Sequence, residues 1–225
     1  MGNALGNILP MAIGVAISPV PIIAVILMLF SKRARSNGIA FLVGWVVALV
    51  VVGSIVLILA NLEKISSGGT ASTLGYVLKL LLGLLFLFMA VRQWRGRPKE
   101  GEEPHMPKWM ASIDQFTPAK AFGFAAVLAG VNPKNLGLTL AAALSIAEAN
   151  VSGAQDWILL AVFVIIASLT VAVPVLYYLF AGQSAEKTLT SWKAWLAANN
   201  ATVMCVLLLV LGMLLVGEGL GGLIG

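Results

Sequence analysis

The segment Asn132-Pro133-Lys134-Asn135 interrupts an otherwise apolar stretch that runs from about Ala119 to Glu148. A proline, a cation and two amides are costly at bilayer depth, because the freed backbone groups and the charge both lose water there. About 114 residues earlier, Ser18-Pro19-Val20-Pro21 interrupts a second apolar stretch at a similar depth. Two proline-broken helices at matching places in the two halves of a chain indicate a transporter built from inverted repeats.

The composition places the chain in a membrane. Of its 225 residues, 60% are hydrophobic and 10% are charged, whereas soluble domains carry about 25% charged residues. Apolar runs of roughly 20 residues, the length that crosses a bilayer, recur along the chain, and no soluble domain remains. The net charge of +5 therefore indicates membrane topology and contact with anionic headgroups, and we expect no nucleic-acid partner.

Hydropathy predicts an all-α integral membrane protein with six transmembrane helices, arranged as two inverted three-helix repeats. The predicted spans are 5–30, 37–61, 72–94, 119–148, 155–181 and 199–222. Spans one and four are the longest, as expected if each is broken by its prolines. Three spans per half is an odd number, so the second half must be inverted relative to the first.

The predicted repeats divide the chain into three parts. Residues 1–95 form the first three-helix repeat, residues 96–118 form a cytoplasmic loop, and residues 119–225 form the second, inverted repeat. In the loop, Trp109, Met110, Ile113 and Phe116 recur at three- and four-residue spacing. This pattern is typical of a short amphipathic helix at the membrane interface, although a packed loop explains it equally well.

Lysine and arginine predict the orientation. With the N-terminus outside, eleven of the fourteen basic residues fall in cytoplasmic segments, Lys64 lies outside, and Lys79 and Lys134 lie within spans. The eleven are Lys32, Arg33, Arg35, Arg92, Arg95, Arg97, Lys99, Lys108, Lys120, Lys187 and Lys193. This asymmetry follows the positive-inside rule. It predicts a multi-pass protein of the plasma (inner) membrane with both termini extracytoplasmic.

Lys134 is the main candidate for a binding residue, because it lies near the middle of span four. No Asp or Glu lies at a comparable depth in any predicted span. The partner of this lysine is then an anionic ligand, or the lysine is neutral. Alternatively, it caps backbone carbonyls that Pro133 leaves without donors. Asn132 and Asn135 can satisfy such groups or bind a ligand themselves.

Span one supplies the second half of the candidate site. Pro19 and Pro21 remove two backbone donors within one turn, and Ser18 is the nearest polar side chain. Taken alone, this pattern indicates a simple proline kink, but its pairing with span four favours a functional role. We expect Lys79, near the outer end of span three, to extend toward water.

Other chemistry finds little support in the sequence. The single cysteine, Cys205, excludes an intrachain disulfide and a cysteine-cluster metal site. No nucleophile, base and acid occur in a recognisable set, and His105 is the only histidine. We therefore expect no enzymatic activity and no cofactor.

Specific motifs resemble a known family. The segment Ile17-Ser18-Pro19-Val20-Pro21 resembles the proline motif of the lysine-exporter superfamily. Pro107 to Met110, Ile113-Asp114, Thr117-Pro118 and Asn132 to Asn135 resemble its actinobacterial branch, the peptidoglycolipid-addressing or sulfolipid-addressing proteins. The resemblance covers nearly the whole chain. It implies a six-span LysE-type fold and a part in moving cell-envelope glycolipids to the surface. Val20 replaces the glycine of the exporters' usual Pro-Gly-Pro motif, so their amino-acid specificity does not carry over.

These observations favour a transporter of cell-envelope lipids or lipid-linked glycans, with an anionic-headgroup site at the bilayer midplane. Its expected partners are membrane lipids, above all an anionic lipid or glycolipid substrate, with a homodimer and envelope-synthesis enzymes as further candidates. One alternative is an exporter of amino acids or other small polar solutes. Others are a membrane-embedded transferase and a scaffold that docks envelope-synthesis enzymes through residues 95–118.

Overall fold

The first predicted span is a broken helix. In the computed structural model, which describes residues 1–66, 73–97, 108–149, 151 and 153–224, the chain is helical with no strand in the described part. Helix α1 (Gly2–Ala16) ends at Ile17, and α2 (Pro19–Leu29) begins after Ser18, with 49° between the two axes. Pro19 fits the first position of α2, where a backbone N–H has no intrahelical partner.

The second break divides the fourth predicted span in the same way. Helix α5 (Pro118–Gly130) ends at Val131, and α6 (Pro133–Glu148) begins after Asn132. The Asn132 side chain caps α6, because its Oδ1 accepts a hydrogen bond from the Lys134 backbone N–H at 3.0 Å. Proline therefore opens the second half-helix at both breaks, and a polar residue precedes it.

The remaining described helices are α3 (Ala34–Ser66), α4 (Thr73–Arg95), α7 (Gly153–Ala181) and α8 (Glu186–Ile224), with short 3₁₀ segments at Lys108–Gln115 and Gly182–Ala185. By length and composition, the helical stretches Ala34–Glu63, Thr73–Arg95 and Gly153–Ile224 can cross a membrane, and the bent pair α1–α2 makes a fourth. The last stretch contains both α7 and α8. The protein is thus an all-helical membrane protein.

Two element boundaries differ from the prediction. Helix α8 begins at Glu186, well before the predicted start of span six at residue 199, because helical propensity continues through the polar residues that hydropathy excludes from a span. The predicted amphipathic helix near residues 107–116 is a 3₁₀ segment from Lys108 to Gln115. Ile113 in this segment is buried, and Asn37 Nδ2 donates to the Phe116 carbonyl at 2.9 Å. Pro107 and His105 lie outside the described residues.

Helices α4 and α8 pack antiparallel in very close contact through glycines. A Cβ on Gly83 would lie 2.7 Å from the Val216 backbone nitrogen and 2.8 Å from the Gly212 carbonyl oxygen. A Cβ on Gly219 would meet the Leu80 backbone nitrogen at 2.7 Å. Small residues let helix backbones approach closely where no hydrophobic effect drives helices together in lipid. The α4–α8 contact is therefore a tight closure between the third and the last predicted span.

We predict that Gly83→Ile destabilises the protein by more than about 1–3 kcal/mol, the usual cost of overpacking, because the side chain would collide with backbone rather than with flexible side chains. Thermal unfolding in detergent measures this as a lower Tm. Gly217→Ile, on α8 where an added Cβ meets nothing within 4 Å, is the matched control and should leave the Tm nearly unchanged. Equal Tm values for the two variants would contradict the close packing.

Lys79 does not extend toward water, so that prediction is wrong. Its side chain is buried, and its Nζ lies 2.5 Å from Glu148 Oε2 and 3.1 Å from Glu218 Oε2. The hydropathy pattern placed both glutamates at the outer ends of their spans but could not show that α4, α6 and α8 bring them to one lysine. A buried ammonium is retained because these carboxylates compensate its charge. We call these three residues the outer ion cluster.

We predict that Lys79→Met lowers the free energy of unfolding by about 1–3 kcal/mol. The change leaves two neighbouring carboxylates without their cation, and their partial exposure reduces the cost below that of a fully buried pair. Glu218→Gln keeps the Lys79–Glu148 ion pair and should change the Tm much less. If Glu218→Gln proved as damaging as Lys79→Met, the ion cluster would not be held together by its lysine.

Candidate functional site at the paired helix breaks

The structure brings the two proline motifs together through Lys134. Its Nζ donates to the Gly14 carbonyl at 2.7 Å, to the Ile17 carbonyl at 3.0 Å and to Ser18 Oγ at 2.6 Å. The side chain is 1% exposed, and all three of its N–H groups have an acceptor. Lys134 at the start of α6 is therefore bound to the end of α1, more than 100 residues earlier in the chain.

The prolines explain why α1 offers acceptors to this lysine. In an unbroken helix the Ile17 carbonyl would accept from the N–H of residue 21, and the Val15 carbonyl from that of residue 19. Both residues are prolines, which have no N–H. Lys134 replaces the missing donor for Ile17, and Ser18 Oγ replaces it for Val15 at 2.7 Å. The prolines thus create the acceptors that a buried cation requires.

The other carbonyls at this break are also satisfied. The Ser18 backbone N–H donates to the Ala16 carbonyl, which leaves the Gly14 carbonyl for Lys134. The Ala16 carbonyl also accepts from Thr170 Oγ1 on α7. Every carbonyl from Gly14 to Ile17 therefore has a donor, as a backbone at bilayer depth requires.

Asn135 performs the corresponding role at the second break. The Asn132 backbone N–H donates to the Val127 carbonyl. In an unbroken helix it would donate to the Leu128 carbonyl, which therefore has no intrahelical donor. Asn135 Nδ2 donates to that carbonyl at 2.9 Å, and Ser18 Oγ lies 3.0 Å from Asn135 Oδ1. The single hydroxyl hydrogen of Ser18 goes to Val15, so Ser18 connects the two breaks by accepting from Lys134 Nζ. The alternative drawn from the sequence was that Lys134 caps the carbonyls that Pro133 leaves free, whereas it caps carbonyls of the other half of the chain.

A polar cavity of about 110 Å³ lies beside this hydrogen-bond network. Its walls come from α2, α4, α6, α8 and the residues at the two breaks. The lining residues are Ser18, Pro19, Val20, Pro21, Gln93, Asn132, Lys134, Asn200 and Met204. Pro133 and Asn135 do not line it, so among the predicted site residues these two hold the breaks in place.

Gln93 and Asn200 were not predicted as site residues. Asn200 Oδ1 is buried without a hydrogen-bond partner among the described residues, so it can accept from a ligand. An amide so close to the start of an apolar run was the available signal, but only the packing of α8 shows that Asn200 lines the same cavity as Lys134. Gln93 and Met204 also line an adjoining cavity of about 400 Å³ that includes Arg92.

The charge of Lys134 has no counter-ion among the described residues. Its three acceptors are neutral, and neither of the two ion pairs in the described part of the chain involves it. Three neutral hydrogen bonds solvate an ammonium but do not cancel its charge. The cavity therefore offers a positive charge, two asparagine amides, a glutamine amide and one free acceptor. This set suits an anionic group that also carries hydroxyls. Within the described residues, no group of three or more His, Cys, Asp or Glu could hold a metal ion.

We predict that Lys134→Ala lowers the free energy of unfolding by about 2–6 kcal/mol, since it leaves the Gly14 and Ile17 carbonyls buried without donors at about 1–3 kcal/mol each. Thermal unfolding in detergent measures the loss. Lys120→Ala, at an exposed position near the start of α5, is the control. A Tm for Lys134→Ala equal to that of the control would show that water replaces the lysine at these carbonyls.

One comparison with known proteins is informative. Residues 8–221 match the family described as Sap, sulfolipid-1-addressing protein. No curated protein and no solved structure matches the chain.

Proposed function

Because the chain belongs to the family of sulfolipid-1-addressing proteins, we propose that it exports an anionic cell-envelope lipid or lipid-linked glycan across the plasma membrane. The observation that carries this proposal is the buried ammonium of Lys134, which borders a polar cavity and has no carboxylate partner among the described residues. Such a charge is costly in a bilayer unless a ligand uses it. The resemblance to lysine exporters is consistent with this role.

The proposed architecture has six spans in two inverted repeats, with α1–α2 and α5–α6 as the broken first members. Helix contacts support this arrangement. Helix α3 packs on α5 and α6, while α7 packs on α1 and α2, and α4 packs on α8. If the helices of the first half are exchanged in order for those of the second, the α3–α5 contact becomes α7–α1 and the α3–α6 contact becomes α7–α2. The α4–α8 contact is converted into itself, as expected for a repeat.

The cavities suggest which side is open. If the basic residues face the cytoplasm, the 400 Å³ cavity at Arg92 and Gly96 lies at the cytoplasmic end of α4. It meets the polar cavity at Gln93 and Met204. On the opposite side, the glycine contacts of α4 with α8 and the outer ion cluster close the path. We propose that this is the inward-facing state and that the site is reached from the cytoplasm.

Transport then requires the contacts that hold α6 to break in turn. An anionic headgroup that enters the cavity competes with neutral carbonyls for the Lys134 ammonium, and charged acceptors form the stronger hydrogen bonds. Release of α6 from Gly14 and Ile17 would let one repeat move against the other. Hydroxyls of the headgroup could donate to Asn200 Oδ1, which favours a sugar-bearing lipid over a simple anion.

Native mass spectrometry of gently extracted protein tests the proposal by identifying the lipids that copurify. We expect wild type to retain an anionic lipid or lipid-linked sugar and Lys134→Gln to lose it, because the amide can still donate to carbonyls but has no charge. Lys120→Gln is the charge-matched control and should retain the lipid. Identical lipid profiles for all three proteins would reduce Lys134 to a backbone cap and remove the support for lipid export.

A second candidate is the export of an amino acid or another small polar solute. The small volume of the polar cavity, about 110 Å³, favours it, because a glycan headgroup requires the cavity to widen. Transport of labelled solutes into inverted vesicles distinguishes the two: Lys134-dependent accumulation of a solute without a lipid tail would establish small-solute export. The homodimer, the envelope-synthesis partners and the transferase and scaffold alternatives stay predictions.

A further inference from the structure

We propose that an apolar groove between α2, α7 and α8 binds the alkyl chain of the lipid whose headgroup occupies the polar cavity. This inference rests on the proposed function and extends it, since it assigns a separate site to the tail. The groove has a volume of about 350 Å³. Its lining residues on α7 are Leu169, Thr170, Val173 and Pro174.

The chemistry of the groove selects an alkyl chain. Ile22, Trp192, Trp195 and Leu196 complete its walls. Thr170 is the one hydroxyl among the lining residues, and its Oγ1 is already bonded to the Ala16 carbonyl. Apart from the indole N–H groups of Trp192 and Trp195, these side chains offer a polar ligand no hydrogen-bond partner, whereas an alkyl chain needs none.

The groove and the polar cavity are adjacent along two helices. On α2, Pro19, Val20 and Pro21 line the cavity, and the next residue, Ile22, lines the groove. On α8, Trp192 and Leu196 line the groove, and Asn200 and Met204 line the cavity. These four residues recur at every fourth position, so they share one face of α8. This face changes from apolar to polar over about 18 Å, at 1.5 Å per residue.

This arrangement matches an amphipathic ligand rather than two unrelated ligands. On α8, the groove residue Leu196 and the cavity residue Asn200 are about 6 Å apart along the helix, so a headgroup in the cavity places its tail beside the groove. Trp192 is held in place by stacking on Tyr177, with ring centroids 6.2 Å apart. Trp195 and Val173 remain 59% and 46% exposed, so the groove opens at the surface of the helix bundle. The tail can therefore stay in the hydrocarbon while the headgroup occupies the cavity.

A photoreactive probe pair tests the inference. A long-chain alkyl sulfate with a diazirine near its tail end is compared with the uncharged alkanol of the same length, both in phosphatidylcholine vesicles that contain the full-length protein. We expect the alkyl sulfate to label peptides around Leu169 and Trp195 and the alkanol to label them weakly. Val173→Trp should reduce the labelling about tenfold. The larger side chain fills part of the groove, so the alkyl chain loses apolar contact equivalent to the burial of about one side chain.

Ile165→Trp is the matched control, because this residue lies on the same helix, is 63% exposed and does not line the groove. The alkyl sulfate probe should label Ile165→Trp to the same extent as wild type. Equal labelling of Val173→Trp and wild type, or equal labelling by sulfate and alkanol, would overturn the inference and show ordinary surrounding lipid. If Val173→Trp separates a dimer without changing the labelling, a second copy fills the groove and the inference is wrong.

The lipids that copurify with the same variants separate this inference from the proposed function. A lipid lost in Lys134→Gln and retained in Val173→Trp would preserve the export site and overturn the tail groove. A lipid lost in both, with Ile165→Trp unaffected, supports both. Probe labelling that depends on Val173 while no variant changes the copurifying lipids would support the groove as an alkyl site and contradict the headgroup role of Lys134.

Discussion

The hydrogen bonds from Lys134 to the end of α1 are the interaction on which the rest of the structure depends. A broken helix inside a bilayer is tolerated only if the freed carbonyls find donors, because no water is available to supply them. Here one ammonium satisfies the Gly14 and Ile17 carbonyls and Ser18 Oγ. Neither partner is stable alone: the carbonyls need a donor and the cation needs acceptors. Their pairing determines how the two halves of the chain meet.

The same pairing makes α6 a connecting element. Its first turn holds the break in the first half through Lys134, and its last turn contributes Glu148 to the outer ion cluster with Lys79. Both ends are held by charged groups: the Lys134 ammonium is hydrogen-bonded to neutral acceptors at one end, and carboxylates compensate the Lys79 charge at the other. A ligand that competes at one end changes the balance of forces on the whole helix. The proposed transport cycle requires such a change, because alternating access depends on a helix that can be held in two ways.

The polar cavity is the observation that supports a binding role for Lys134 in addition to its capping of backbone carbonyls. Neutral carbonyls solvate the ammonium without cancelling its charge, so the positive potential extends into the space bordered by Asn132 and Asn200. Membership of the sulfolipid-1-addressing family connects this potential with envelope lipids. The adjoining apolar groove supplies the environment that a lipid tail needs. In the proposed lipid site, one turn of α8 thus separates the groove residue Leu196 from the cavity residue Asn200.

The sequence by itself determined the membrane class, the places of the two breaks and the importance of Lys134, because hydropathy and proline chemistry act locally along the chain. Only the tertiary structure decided that Lys134 caps the opposite half, that Lys79 pairs with Glu148 and Glu218, and that Gln93 and Asn200 face the same cavity. These contacts join residues that are distant in the chain. Which distant groups meet depends on helix packing, and in lipid that packing follows from close contacts of small residues such as Gly83 and Gly219, which hydrophobicity patterns do not encode.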